Sequence, residues 1–211
     1  MHLSMHNWMR AEPIEVTIRR LAKYGYESIE IGVGSEKYDT KEVRGYLKET
    51  GLRCWGSISL MFTGLDLIQA DEAGRALTIQ YLKDCITMVK ELDGHVMSIV
   101  PSEVGKVNAQ ADPDTEWNWA VEGLREVNDF AKKAGVAVAI EPLNRFETNF
   151  INRHDQALLL AEEVGPDVGV CLDIYHMNQE DARWSQAILN AGDRLYDFHV
   201  ADNNRIACGL C

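Results

Sequence analysis

Apolar and polar residues follow one repeated order along this chain: an amphipathic helical stretch, a glycine, a short apolar run and a polar segment. Glycines that follow a helical stretch are expected to adopt the left-handed conformation at the helix end; they are Gly25, Gly51, Gly94, Gly135, Gly165 and Gly192. The short apolar runs predict buried strands; these are Leu3–Trp8, Ser28–Val33, Leu52–Leu60, His95–Val100, Val136–Ile140, Val168–Leu172 and Leu195–His199. Seven strands that alternate with helices predict an α/β protein with a parallel sheet covered by helices.

Helix starts and one clear helix face agree with this order. Asp112 offers a capping oxygen before a proline at the first helical position, and we expect Pro13 after Glu12 to have the same place. One face of a later helix is apolar and predicted to be buried; it carries Ala120, Leu124, Val127, Phe130 and Ala131. Because no linker or low-complexity segment interrupts the pattern, we expect residues 1–211 to form one domain.

The repeat favours a (β/α)8 TIM barrel over an open doubly wound sheet. The turn after the first strand has no GxGxxG sequence, and the helix-ending glycines are 26 to 43 residues apart, which suits barrel units. A complete barrel needs eight strands in about 250 residues, whereas this chain reaches Cys211 just after the seventh. Because an open barrel exposes unpaired strand edges, we expect a TIM barrel truncated after strand 7, without its β8 region and the flanking helices.

Composition narrows the class of partner. The chain is 46% hydrophobic, which is enough for a substantial core, and no apolar run approaches the length of a membrane span. A net charge of -12 argues against nucleic acid and favours a small neutral or metal-bound substrate. Five cysteines without CxxC spacing and an amino terminus without a signal-peptide pattern predict reduced thiols in a cytoplasmic protein.

Three candidate metal ligands end consecutive predicted strands. Glu141 follows the fifth strand, Asp173 the sixth, and His199 ends the seventh. Since a curled parallel sheet brings its carboxyl ends to one rim, we expect these side chains to converge. Two carboxylates and one imidazole suit Mn²⁺, Mg²⁺ or Co²⁺ better than a thiolate-type zinc site. The alternative is that the two carboxylates cap the following loops and His199 is a hydrogen-bonded core histidine.

Further polar residues follow the same strand ends. Glu147, His176 and Arg205 come three to six residues after the three candidate ligands. Together with a cation they could bind a polyol or a hydroxyketone through several oxygens. Two alternatives stay open at this point: Arg205 could neutralise Asp202 on the surface, and His176 could pack on Tyr175.

Three segments resemble a known family. The sequences IEPLNRFETNFINR, CLDIYHMNQED and DFHVADNNR are similar to consecutive blocks of the xylose-isomerase-like barrel superfamily, and closest to its ketose 3-epimerases, the D-tagatose and D-psicose 3-epimerase group. The resemblance implies a (β/α)8 barrel with Mn²⁺ or a similar cation bound by Glu141, Asp173 and His199. It also implies that Glu147, His176 and Arg205 contact the substrate. The family's fourth ligand is a glutamate on strand eight, which lies beyond the end of this chain.

The resemblance also implies a reaction, in which Glu141 removes the proton from C3 of a ketose and an enediolate forms. Without the strand-eight glutamate we expect proton exchange to survive while epimerisation fails. An aldose–ketose isomerase and a lyase that cleaves a 3-keto sugar share this chemistry and stay open. So does a non-catalytic sugar-binding or assembly subunit, whereas a metal-dependent DNA endonuclease conflicts with the acidic charge. We also expect a homo-oligomer, a dimer or a tetramer.

Two tryptophans and one glutamate complete the candidate site. Trp8 ends the first strand, where the family has an aromatic residue in the pocket wall; core packing is the alternative. Trp117 follows the long loop Pro101–Thr115, a candidate lid, and is predicted to face the substrate. Glu30 in the second strand either reaches the barrel mouth or pairs with Arg19.

Overall fold

Seven parallel strands form one sheet in which the spatial order of the strands follows the chain. A computed structural model gives the coordinates and describes residues 2–32, 34–59 and 61–210. Every neighbouring pair is parallel. The strands are β1 Ser4–His6, β2 Ser28–Glu30, β3 Arg53–Ile58, β4 Val96–Ile99, β5 Ala137–Ile140, β6 Val168–Asp173 and β7 Leu195–His199.

Helices join the strands and lie on the outside of the sheet. They are α1 Ile14–Lys23, α2 Thr40–Thr50, α3 Glu72–Glu91, α4 Pro113–Ala134, α5 His154–Val164, α6 Ile174–Glu180 and α7 Trp184–Ala191, with short 3-10 turns at Ser35–Lys37 and Gly192–Arg194. The predicted cap at α4 is confirmed. Asp112 is the N-cap residue, its side chain accepts a hydrogen bond from the backbone N–H of Thr115, and Pro113 is the first helical residue. Pro13 precedes α1 as its N-cap residue, one position earlier than predicted.

The sheet curls into a barrel wall. β7 approaches β4 and β5 as well as its neighbour β6. The rings of His6 on β1 and His199 on β7 are 4.5 Å apart, so the first and last strands face each other. The predicted TIM-barrel fold is confirmed, with seven strands, and in the sheet that the described residues form, β1 and β7 are the edges. Within these ranges, the helices are all too short or too polar to span a bilayer.

The predicted strands are correct in number and order but longer than the observed ones at most ends. β1 is shorter at both ends than Leu3–Trp8, and Val33 and Leu60, the predicted last residues of two strands, lie outside the described residues. Two glycine predictions are wrong. At the end of α3 it is Asp93 that takes a positive φ of 57° instead of Gly94, and Gly165 is extended with φ 172°.

The main core lies between the sheet and the helices. The predicted apolar face of α4 contributes to it: four of its residues are fully buried and Phe130 is partly buried. A second, smaller cluster joins Val96, Ala139 and Cys171 with the partly buried Trp55 and Tyr196. Gly56 on β3 is required there, because a Cβ atom at this position would lie 2.1 Å from the carbonyl oxygen of Val96 on β4.

Candidate active site at the carboxyl ends of the strands

Glu141 lies at the centre of the polar groups on the rim. Its backbone N–H still donates to Ile99 across the sheet at 2.9 Å, and Pro142 then ends the ladder, so the side chain has a fixed origin. Glu141 is 2% exposed. Within the described part of the chain its Oε2 atom is buried without a hydrogen-bond partner. A buried oxygen without a partner is costly unless a ligand or a cation satisfies it.

On the interior side of Glu141 lies the inner cluster, defined as His6, Glu30 and His199. His199 Nδ1 is 3.2 Å from Glu141 Oε1, and its Nε2 is 3.2 Å from Glu30 Oε2. The same Glu30 oxygen lies 3.0 Å from His6 Nδ1. Three strands, β1, β2 and β7, supply one residue each, so the fold itself holds the cluster together.

Toward solvent lies the outer cluster, defined as Glu147, Asp173, His176 and Arg205. Arg205 Nη2 lies 3.3 Å from both Glu147 Oε1 and His176 Nε2, and its Nη1 is 3.9 Å from Asp173 Oδ2. The Arg205 guanidinium also stacks 3.7 Å from the centre of the Tyr175 ring. The side chain therefore faces the site, and the alternative of a surface arginine paired with Asp202 does not describe it.

His176 has a defined tautomer. The backbone N–H of Asn144 donates to His176 Nδ1 at 3.1 Å, which leaves the ring proton on Nε2. Burial lowers the pKa of His176, so the ring is neutral near pH 7. Its Nε2–H group then faces Asp173 Oδ2, 3.7 Å away, and the 3.3 Å contact of Nε2 with Arg205 Nη2 joins two donors and is not a hydrogen bond. The ring also packs edge-on against Tyr175, and the contact of His176 with a substrate stays a prediction.

The three predicted ligands meet in pairs rather than as one group. Among the described residues, the sets of ligand atoms that lie within 4.8 Å of one another include Glu141 with Asp173 and His176, and Glu141 with Cys171 and His199. Glu141 is therefore common to both sets, although Asp173 and His199, which are register partners on β6 and β7, do not fall within one set.

The two predicted tryptophans lie in different places. Trp8 is 38% exposed at the mouth, its ring 5.5 Å from that of His6. Trp117 lies apart from both clusters, which differs from its predicted substrate-facing position: its indole N–H donates to Glu163 on α5 at 2.8 Å, and its ring packs on Phe150. The amphipathic turn of α4 directs it to the helical layer.

The predicted lid loop is fastened to its neighbours. Lys106 pairs with buried Asp66 at 2.6 Å, and Gly105 N–H donates to the carbonyl of Glu147 at 2.7 Å. Ser102 and Thr148 share a buried hydrogen bond of 2.6 Å. These contacts tie the loop to the segment that carries Glu147, so in this structure it supports the outer cluster.

Sequence reasoning missed His6, Cys171 and Asp197 as neighbours of the site. His6 ends a three-residue strand with no strong pattern, and Cys171 and Asp197 precede the predicted ligands by two residues, on the same face of their strands. The two-residue spacing before Asp173 and His199 would have predicted that Cys171 and Asp197 face the same side of the sheet as these ligands. The weighed pairing of Glu30 with Arg19 is wrong, because Glu30 faces the two histidines and Arg19 binds Glu15 and Glu49 on the surface.

Charges within the inner cluster stabilise one another. Burial raises the pKa of Glu30, but the neighbouring His6 and His199 outweigh it and hold the pKa low. Burial lowers the pKa of His199, but Cys171, Glu141 and Glu30 together raise it well above its ordinary value. Burial and the Glu30 charge raise the pKa of Asp197 to about 6. Glu30 is thus an anion between two imidazoles.

These features define a class: a parallel β/α barrel with carboxylates and imidazoles gathered at the carboxyl ends of its strands. The chain belongs to the xylose isomerase-like TIM barrel family, whose model matches residues 18–208. It is 30% identical over 195 residues to D-psicose 3-epimerase of Agrobacterium fabrum, covering 89% of this chain and 67% of that protein. It is 28% identical over 194 residues to L-ribulose 3-epimerase of Mesorhizobium japonicum, covering 91% and 65%.

A solved structure agrees with the sequence relatives. D-allulose 3-epimerase from Methylomonas sp., crystallised in complex with D-allulose, superposes with a TM-score of 0.92 at 26% identity, covering all of this chain and 75% of that one. The predicted resemblance to ketose 3-epimerases is therefore confirmed. The chain spans about two thirds of the length of the curated relatives it matches.

Proposed function

We propose that this chain carries the site of a divalent-cation-dependent epimerase that moves a proton at C3 of a ketose. The observation that carries the proposal is the Glu141 carboxylate, one oxygen of which is 3.2 Å from His199 while the other is buried without a hydrogen-bond partner in the described chain. A base in this environment is fixed in position and available to a ligand. The family relationship supports sugar chemistry, because the relatives named above are ketose 3-epimerases.

The residues fit a divalent cation. Glu141, Asp173 and His199 offer two carboxylates and one imidazole, a donor set that suits Mn²⁺, and also Mg²⁺ or Co²⁺. The orphan Oε2 atom of Glu141 is the kind of group that a cation satisfies. When bound, such a cation supplies Lewis-acid stabilisation of negative charge that develops on a substrate oxygen.

The protein side chains divide the remaining work. Glu141 removes the proton from the carbon next to the ketone. The Nε2–H group of His176 and the guanidinium of Arg205 donate hydrogen bonds to substrate oxygens, because both face the space beside Asp173. Glu147, held by Asn144 at 2.9 Å, accepts from a substrate hydroxyl and keeps Arg205 in place. Trp8 forms an apolar wall at the mouth.

The substrate is proposed to be a free ketose, because the relatives are named for D-psicose and L-ribulose and we find no glycine-rich phosphate cradle in the sequence.

A homo-oligomeric state and a cytoplasmic location are also part of the proposal, and both stay predictions. The oligomer is measured by light scattering on the purified chain: a monomer at every concentration would contradict it.

Deuterium exchange tests the proposed reaction. The 211-residue chain with Mn²⁺ is incubated in D₂O with D-psicose, D-tagatose or L-ribulose, and the sugar is followed by ¹H NMR. We expect the C3 proton signal to decay, because one base suffices for exchange. Deuterium at C1 instead would replace the proposal with an aldose–ketose isomerase. No exchange with any of the three sugars, although the chain binds Mn²⁺, would contradict the role of Glu141.

A further inference from the structure

We propose that Glu30 is a positioning residue for His199: its carboxylate accepts a hydrogen bond from Nε2–H, and this leaves the Nδ1 lone pair directed at the cation site beside Glu141. The inference rests on the proposed function and deepens it, since it concerns how one ligand of that site is oriented. Histidine ligands in metalloproteins commonly donate their second ring N–H to a carboxylate, which fixes the tautomer and the ring orientation.

The two nitrogens of His199 face two different carboxylates. Nδ1 lies 3.2 Å from Glu141 Oε1, and Nε2 lies 3.2 Å from Glu30 Oε2. Glu141 has the orphan oxygen and is on the rim, whereas Glu30 is 3% exposed on the interior side. The ring therefore spans from a buried anion to the candidate cation site. Only one of its nitrogens faces the side where a ligand can enter.

Other groups near the ring do not select a tautomer. The sulfur of Cys171 lies 3.6 Å from Nδ1 and 3.5 Å from Nε2, so it favours neither nitrogen. Asp197 Oδ2 is 3.9 Å from Nε2, beyond hydrogen-bond distance. His6 approaches Glu30 rather than His199 through its Nδ1 atom and packs its ring edge-on against the His199 ring. Glu30 is thus the acceptor best placed for Nε2–H.

The backbone aims Glu30 at this position. The pairing of β2 with β3 shifts register between Ile29 and Glu30, so that Glu30 lies opposite Gly56 rather than Trp55. A register irregularity of this kind re-aims one side chain relative to its strand neighbours. At Gly56 a Cβ atom would meet the carbonyl oxygen of Val96, so β3 packs closely against β4 beside the position of Glu30. The sheet itself, rather than a mobile loop, holds the acceptor.

Mn²⁺ affinity and a histidine NMR signal test the proposal. Glu30→Gln keeps the size of the side chain and removes its charge. Asp197→Asn is the matched control, because it makes the same change on a carboxylate that lies 3.9 Å from His199 Nε2, beyond hydrogen-bond distance. We expect Glu30→Gln to bind Mn²⁺ about 10- to 100-fold more weakly by titration calorimetry, whereas Asp197→Asn changes the affinity less than threefold. Mn²⁺ affinity equal to wild type in Glu30→Gln would overturn the proposal.

The NMR signal separates orientation from stability. In protein labelled with ¹⁵N-histidine, with and without the diamagnetic Mg²⁺, we expect a protected, downfield Nε2–H proton for His199 in wild type and Asp197→Asn, shifted upfield in Glu30→Gln. A signal that Glu30→Gln leaves in place would overturn the proposal. So would a second bound Mn²⁺ that His6→Asn removes, since Glu30 would then be a ligand. Wild type that binds no Mn²⁺ but shows the Nε2–H signal would refute the cation site alone.

Discussion

The inner and outer clusters on the two sides of Glu141 differ in how the fold holds them. The inner residues come from the strands β1, β2 and β7, and the side chains of Glu30 and His199 are 4% and 10% exposed. The outer residues Glu147 and Arg205 come from loops, and their side chains are 28% and 35% exposed. Arg205 even has a positive φ of 65°. The outer cluster also contains Asp173 at the end of β6 and His176 on α6, both buried, so it combines a strand end, a helix and two loops, whereas the inner cluster comes from strands alone.

The two clusters suit different parts of the proposed reaction. A cation ligand needs a fixed orientation, which buried strands provide. A substrate has to enter and leave, so its contacts belong on loops that are partly open to solvent. Glu141 lies between the two and is needed by both. Four experiments test this division, in order of decreasing effect.

Glu141→Gln affects both clusters at once and has the largest expected effect. It removes the base and one cation ligand, so we expect C3 proton exchange to fall by about 10²- to 10⁴-fold. The rate of deuterium incorporation measures this. Glu162→Gln, on the exposed face of α5, is the matched control and keeps the wild-type rate. Retention of more than a tenth of the activity in Glu141→Gln would assign the proton transfer to another group.

Thiol labelling compares the burial of the two sides directly. Cys171 touches His199 in the interior, whereas Cys208 is exposed three residues after Arg205. Burial raises the pKa of Cys171 well above its ordinary value, so little thiolate forms. In a Cys211→Ser background we expect DTNB to modify Cys208 at least about 100-fold faster than Cys171. Equal rates in the folded protein would mean that the interior side is open.

Arg205→Lys tests the outer cluster alone. Lysine keeps the charge but loses the planar fork and the stack on Tyr175. Hydrogen bonds to charged groups contribute about 1.5–3 kcal/mol, so we expect kcat/KM for exchange to fall roughly 10- to 100-fold while the His199 Nε2–H signal keeps its position. Movement of that signal would show that the two clusters are not independent.

Acid should loosen the outer cluster slightly before the whole fold. Glu180 accepts the Arg145 side chain and its backbone N–H at 2.8 to 3.2 Å, which anchors the loop after β5. These hydrogen bonds hold the pKa of Glu180 below its ordinary value of 4.5. Because a lowered pKa stabilises the fold above 4.5, this contribution is lost as the pH falls through the lower folded value.

Glu180→Gln should therefore reduce the loss of stability between pH 7 and pH 3, the smallest effect of the four. Urea unfolding at the two pH values measures it, with Glu162→Gln as the control. A stability difference between the two pH values that is the same in Glu180→Gln and wild type would contradict the anchoring role.

The candidate ligands and the outer cluster could be predicted from the sequence better than the contacts within the inner cluster. Glu141, Asp173 and His199 could be found because each follows or ends an apolar run, a local signal, and parallel pairing brings such ends to one rim. Glu147, His176 and Arg205 then follow by short spacing. The number and order of the strands could be predicted from the same local pattern. The exact strand ends could not, because they depend on pairing with neighbouring strands.

The inner cluster depends on contacts that no local pattern shows. His6 and His199 are far apart in the chain and meet only because the sheet curls, and the aim of Glu30 depends on a register shift against β3. The orientation of Trp117 was missed for a related reason. The position of Trp117 just after a long loop suggested a lid residue. Its direction is instead determined by its position in α4, which turns the side chain toward Glu163.

The most direct test of the account is an anomalous-difference map from a crystal of this chain soaked with Mn²⁺. We predict one peak within bonding distance of Glu141 Oε2, a carboxylate oxygen of Asp173 and His199 Nδ1. To bind one cation together, the side chains of Glu141, Asp173 and His199 need only rotate, while the backbone stays in place. A peak among His6, Glu30 and His199 instead, or no peak near Glu141, would contradict the central claim that Glu141 joins a cation site to a proton-transfer site.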